Sequence, residues 1–193
     1  MNRPPTPPGG FHNYFGPQAG RYREYRPRYP EALFHYLAVA GDGTRVAQAL
    51  HWFDLDPFLR EARRVLVPGG VLAAWCYARC TVDSAVDEIV DLFYTVTLGP
   101  FWPKERRLVD EGYRTIALPL DEMAPPPFEM TEQWSLSEFA SYIRTWSAVN
   151  RFIEVRGEEP VFAFEEALAE MWGDPRQRRR VKWPVHCRIG EIR

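Results

Sequence analysis

At 193 residues and 46% hydrophobic content, the chain is long enough for one domain with a core of its own. Its 24 basic and 26 acidic side chains leave a formal charge of −2, which supplies no electrostatic drive toward a polyanion and argues against nucleic acid as a partner. Cys76, Cys80 and Cys187 are an odd number spaced for neither a zinc knuckle nor a redox pair, and no run approaches the roughly eighteen apolar residues of a membrane span. A soluble protein of the reduced cytoplasm, with no membrane association, is therefore expected.

Residues 1–10 hold four prolines and two glycines with little apolar mass, the composition of a disordered tail, so a single domain is expected over 11–193. The segment that follows, FHNYFGPQAGRYREYRPRYPEALFHYL, is dense in Tyr, Phe and Arg, and Pro30 predicts a helix start through EALFHYL that ends near residues 39–41. Asp42 and Gly43 mark a turn. RVAQAL then reads as a buried strand over 46–50 or the start of a helix, because periodicity does not separate the two. In HWFDLDPFLREARRVLVPGG, Asp56 is a candidate cap, Pro57 takes the first helical position, and Phe58, Leu59, Ala62, Val65 and Leu66 recur at helical spacing. Pro68, Gly69 and Gly70 stop that helix before VLAAWCY, a short continuous apolar run of the kind buried on both faces of a parallel sheet. A helix, a tight turn and a buried strand in succession indicate an α/β layer fold.

Downstream, Val86, Ile89, Val90 and Phe93 define another amphipathic helix, capped by Asp83 or Ser84 and ended by LGPFWP, and a loop is expected after it. PPPFEMTEQW predicts a strand. Ser135 and Glu138 stand at capping-box spacing ahead of a helix carrying Phe139, Tyr142, Ile143, Trp146 and Val149. Pro160 opens a further helix to Trp172, which Gly173 ends, and VKWPVHCRIGEI closes the chain as a strand.

Several chemistries find no support in these residues. Gly41 and Gly43 form a G-x-G without the third small residue or the downstream acid of a dinucleotide site, so an ordinary turn is the better reading. His12, His35, His51 and His186 are scattered without i, i+4 pairing, and no metal site is expected. A G-x-S-x-G elbow is absent and no cysteine stands in a nucleophile motif. The basic run Arg176, Arg178, Arg179, Arg180 and Lys182 follows a helix end, where cations offset unpaired carbonyls, and it has no aromatic stacking partners of the kind used on nucleic acid. His51 and Trp52, in HWFD, lie where a short apolar run gives way to a helix cap, the kind of position at which α/β sheets bind ligands; taken alone, they read first as core or capping groups.

The series AQALHWFD, FLREARRVLVPGGVLAAWCYA, FYTVTLGPFWPKERR and WSLSEFASYIRTWSAV resembles class I S-adenosylmethionine-dependent methyltransferases of the trans-aconitate methyltransferase-like group, as does the N-terminal RYREYRPRYPEAL. The resemblance implies a Rossmann-like methyltransferase fold with a mostly parallel sheet, methylation of a small-molecule acceptor, and a carboxylate oxygen as the nucleophile. It also exposes a gap. Where the family carries the glycine-rich cofactor loop, the acid that ends the second strand and a third strand-helix unit, only AGDGTR is present, and even one βαβ unit takes about 30 residues. A partial fold is expected, with the first three strand-helix units absent through an internal deletion near 41–44. By position in the family pattern, Tyr22 and Arg26 are implied to close over the S-adenosylmethionine cofactor. His51 and Trp52 are implied to position acceptor and methyl group, Arg144 to grip an acidic substrate, and Trp146 to line the cleft or pack the core. Without the cofactor segment the chain is expected to be a doubtful enzyme. The alternative is a non-catalytic remnant that self-associates or binds a partner through the bared sheet edge.

Overall fold

The computed structural model describes residues 25–193, so the expected tail and Tyr22 lie outside the described residues. In chain order the elements are α1 (Glu31–Val39), β1 (Gly43–Ala47), α2 (Leu55–Val65), β2 (Val71–Tyr77), α3 (Ser84–Leu92), α4 (Arg106–Asp110), β3 (Leu120–Met123), β4 (Phe128–Trp134), α5 (Leu136–Arg144), α6 (Ser147–Arg156), α7 (Glu159–Trp172) and β5 (Arg179–Ile192).

β2 organises the molecule. All seven of its residues are buried, and because successive side chains point to opposite faces, Val71, Ala73, Trp75 and Tyr77 enter one core while Leu72, Ala74 and Cys76 enter another. The first core is filled from α1, α3, α5, α6 and α7; the second takes Val46, Leu50, Leu59, Val109, Tyr113, Ile116 and Leu120. A sheet covered on both faces results, as the continuous apolar run VLAAWCY requires.

The strand order is β1-β2-β5-β3, with β4 also paired to β5. β1 and β2 are parallel, from Gly43 opposite Val71 to Ala47 opposite Trp75. The remaining pairings are antiparallel, and the 14-residue β5 carries β2 on one side and β3 followed by β4 on the other. The sheet is thus mixed where a mostly parallel one is expected, since the parallel part contains only one strand pair. β1 terminates the sheet, and its outer edge pairs with no other strand among the described residues.

Several expected boundaries move. β1 ends at Ala47, because Gln48 turns into the left-handed region at φ 48°, and Leu50–Trp52 form a 3₁₀ turn in place of strand. α2 begins at Leu55 with Asp54 at its cap position, so Pro57 sits in its first turn and Asp56 is the acidic residue there, not the cap. Asp83 caps α3 as expected, accepting from the backbone N–H groups of Ala85 and Val86. The capping box of Ser135 and Glu138 is formed in full, but the helix stops at Arg144. Thr145 Oγ1 donates back to the Tyr142 carbonyl at 2.6 Å, and Trp146 becomes the cap position of α6. β3 and α4 stand where only a loop is expected.

Candidate active site

The carboxyl ends of β1 and β2 open into a cavity of about 100 Å³. This is the crevice in which open α/β sheets take ligands. Each strand end and two helical junctions contribute to it: Gln48, His51 and Trp52 follow β1, Tyr77 ends β2 and Arg79 follows it, Trp102 precedes α4 and Arg106 opens it, and Thr145 and Trp146 form the break between α5 and α6. Arg26, Pro103, Tyr142 and Ser147 complete the wall, and no Asp or Glu lines it among the described residues.

Cations are held here by aromatic faces and by carboxylates placed outside the lining. The Arg106 guanidinium lies 5.1 Å from the Trp102 ring centroid and 5.6 Å from that of Tyr94, and its Nε donates to Tyr94 Oη at 2.7 Å and to Asp110 Oδ1 at 3.1 Å. Burial works against this charge, but Tyr94 and Asp110 outweigh it and hold the guanidinium above its ordinary pKa. Arg79 pairs with Asp91 and lies over the Tyr94 ring, 4.8 Å from its centroid. Arg26 donates to the Tyr77 hydroxyl and lies 5.6 Å over the Tyr142 ring, which Trp183 Nε1 fixes by donating to its hydroxyl at 3.0 Å.

His51 faces the same space in neutral form. Burial first, and the Arg106 charge second, lower its pKa to about 4 against a smaller upward pull from Glu105. Its Nδ1 lies 2.8 Å from the hydroxyl of the fully buried Tyr113. Trp52 is 44% exposed with its ring centroid 4.7 Å from that of the imidazole, leaving an aromatic face at the mouth. The structure therefore brings four of the sequence-derived residues, Arg26, His51, Trp52 and Trp146, to one cavity. Trp146 also packs, edge-on to Tyr94 at 5.5 Å and to Tyr142 at 5.8 Å.

Arg144 is placed elsewhere. Its guanidinium binds Glu165 through two nitrogens, with the Nη2 contact at 2.8 Å, approaches Glu158 at 3.5 Å and covers Phe162, so it ties α5 to α7 and does not line the cavity. Sequence reasoning missed Gln48, Arg79, Trp102, Arg106 and Tyr113. The i, i+4 spacing of Arg106 and Asp110 was a usable signal, whereas nothing local in the sequence announced Tyr113. The thiols of Cys76 and Cys80 are pushed up to about 12, and that of Cys187 to about 11, by burial, so none is a nucleophile at neutral pH. No group of three or more potential metal ligands occurs among the described residues, and no helix among them is long and apolar enough to cross a membrane.

No protein-family model matches the chain. A Dictyostelium discoideum protein assigned as a methyltransferase is 26% identical over 130 residues, 66% of this chain and 49% of that protein, so the chain spans about half the length of this curated relative. A solved structure from Anaeromyxobacter dehalogenans, assigned as a type II methyltransferase, superposes with a TM-score of 0.80 at 33% identity, over 87% of this chain and 98% of that one. The chain belongs to the methyltransferases. Over the superposed span the solved relative shares this chain's fold.

Proposed function

We propose that the cavity is the acceptor side of a site for S-adenosylmethionine-dependent methylation of a small carboxylate. The observation that carries this reading is the lining itself: guanidinium groups from Arg26, Arg79 and Arg106, a neutral His51, and no carboxylate among the described residues. Such a surface favours an anion through charge-assisted hydrogen bonds. A carboxylate with pKa near 4 is already ionised at neutral pH and needs no base to become a nucleophile, so acceptor positioning dominates, and well-oriented reactants gain roughly 7 to 11 kcal/mol of the barrier.

S-adenosylmethionine, when bound, supplies an electrophilic methyl group on a sulfonium. The described residues fit one side of it. Trp52, Trp102 and Trp146 offer faces of the type that stabilise a cation, and Arg26 suits a carboxylate. They do not fit the nucleoside side. Among the described residues no acid lines the cavity to accept from ribose hydroxyls, and residues 40–42 alone connect α1 to β1, too few for a glycine-rich loop flanked by strand-helix units. We infer that the described residues supply the acceptor wall of the site and not the donor wall.

The three tryptophans make occupancy measurable. Titration with trans-aconitate should change the intrinsic fluorescence saturably, its neutral trimethyl ester should not, and Arg26→Met should weaken the response at least tenfold. Equal responses to acid and ester, or none to either from the folded chain, would remove the acceptor assignment.

A second reading is favoured by the outer edge of β1, which pairs with no described strand: a non-catalytic, self-associating remnant. Concentration-dependent dimerisation together with the absence of carboxylate binding would select it.

A further inference from the structure

Among the described residues, Gln48 and Tyr113 are the two positions other than glycine with backbone in the left-handed region, at φ 48° and 61°. Such conformations are strained for residues with a Cβ and persist where surrounding structure enforces them. Both converge on His51. Gln48 lines the cavity beside it, and Tyr113 touches it from below.

Tyr113 is enforced from three directions. Gly112 before it is also left-handed, and a Cβ there would stand 2.7 Å from the His186 ring. The Tyr113 N–H donates to the Leu108 carbonyl at 2.8 Å, and its own carbonyl accepts from Arg188 Nη1 at 2.9 Å. The side chain is driven inward, where its hydroxyl is fully buried. A buried O–H must be donated to an acceptor. His51 Nδ1, at 2.8 Å, is its one hydrogen-bond acceptor among the described residues. The backbone N–H groups of His51 and Leu50 also act on this phenol oxygen, but as donors they take no proton from it. Nδ1 therefore accepts, and the proton of the neutral imidazole resides on Nε2, the nitrogen that Tyr113 does not engage on a residue that lines the cavity.

We propose that Tyr113 is a positioning residue that locks His51 as its neutral Nε2–H tautomer, so that the cavity is offered an N–H donor in place of a general base. Gln48 is turned to the same end. Its Oε1 accepts from the Tyr77 backbone N–H at 2.9 Å, which leaves the amide NH₂ as the group for the cavity. Burial and the Arg106 charge keep the imidazole from protonating. With His51 held as a donor and no carboxylate among the described residues of the lining, the site suits an acceptor that arrives ionised and offers no general base for an alcohol, phenol or amine.

The chemical meaning of this lock rests on the acceptor reading above; its geometry does not. Two-dimensional ¹⁵N spectra of the uniformly labelled chain at pH 7, with neither donor nor acceptor added, decide it. The His51 Nδ1 signal should fall in the unprotonated range and Nε2 in the protonated range, and Tyr113→Phe should move both toward the averaged values of a tautomer mixture. A protonated Nδ1 or an imidazolium in the unsubstituted chain, or an unchanged pattern in a folded Tyr113→Phe, would overturn the proposal. If that variant does not fold, the unsubstituted spectrum alone settles the tautomer. Failure to bind trans-aconitate would remove the acceptor reading and leave the measured tautomer standing.

Discussion

His51 couples the site to stability. Its pKa falls from the ordinary 6.5 to about 4 in the folded chain, chiefly through burial, so between those values the unfolded chain binds a proton that the folded chain refuses. The stabilising difference is fully present above pH 6.5 and is lost as pH falls through 4. Burial, with Arg114 second, shifts His186 in the same direction. Urea midpoints should therefore drop from pH 7 toward pH 4. His51→Gln should flatten that drop by the His51 share and leave the rest, so identical slopes for the two proteins would contradict the buried neutral imidazole. Arg106→Met should cost about 2 kcal/mol in the same assay, the scale of a lost hydrogen bond to a charged group, because Tyr94 and Asp110 keep each other but lose their cation. The HWFD motif made His51 and Trp52 legible as candidates. Their partner Tyr113 was illegible, since it stands 62 positions away and is brought in by a left-handed turn that follows an unremarked glycine.

At the scale of elements, legibility followed how locally each signal is determined. Ser135 and Glu138 spell their own cap, and the structure forms it, with Glu138 Oε2 accepting from the Ser135 N–H at 2.8 Å. Ser135→Ala should cost about 1 kcal/mol, read as a lower thermal or urea midpoint. VLAAWCY declared burial on both faces and obtained it. The break after Arg144 was not legible, because periodicity continues smoothly through Trp146 and Val149. Only the packing of Trp146 against Tyr94 and Tyr142 shows why the chain turns there. β3 escaped as well. Two of its four residues are acidic, and it is a strand because β5 is long enough to pair with it after passing β4. Arg144 was read for its charge; Glu165 and Glu158, one helix further on, decide its role as a tie between helices.

For the whole molecule the decisive feature is asymmetry. One side of the β1–β2 crevice is built from arginine and aromatic groups, and the sheet ends at β1, where a five-residue edge leaves backbone groups unpaired by any described strand. Edges of this kind promote pairing between chains, and charge placed on them suppresses it. Sedimentation should therefore show concentration-dependent self-association that Ala47→Lys weakens, Ala47 being exposed on β1. A monomer at all concentrations would mean that the edge is covered. Calorimetry with S-adenosylmethionine on the folded chain tests the central claim most directly. An acceptor wall without its donor wall predicts no saturable heat up to millimolar cofactor, and one-to-one binding at micromolar cofactor would contradict it.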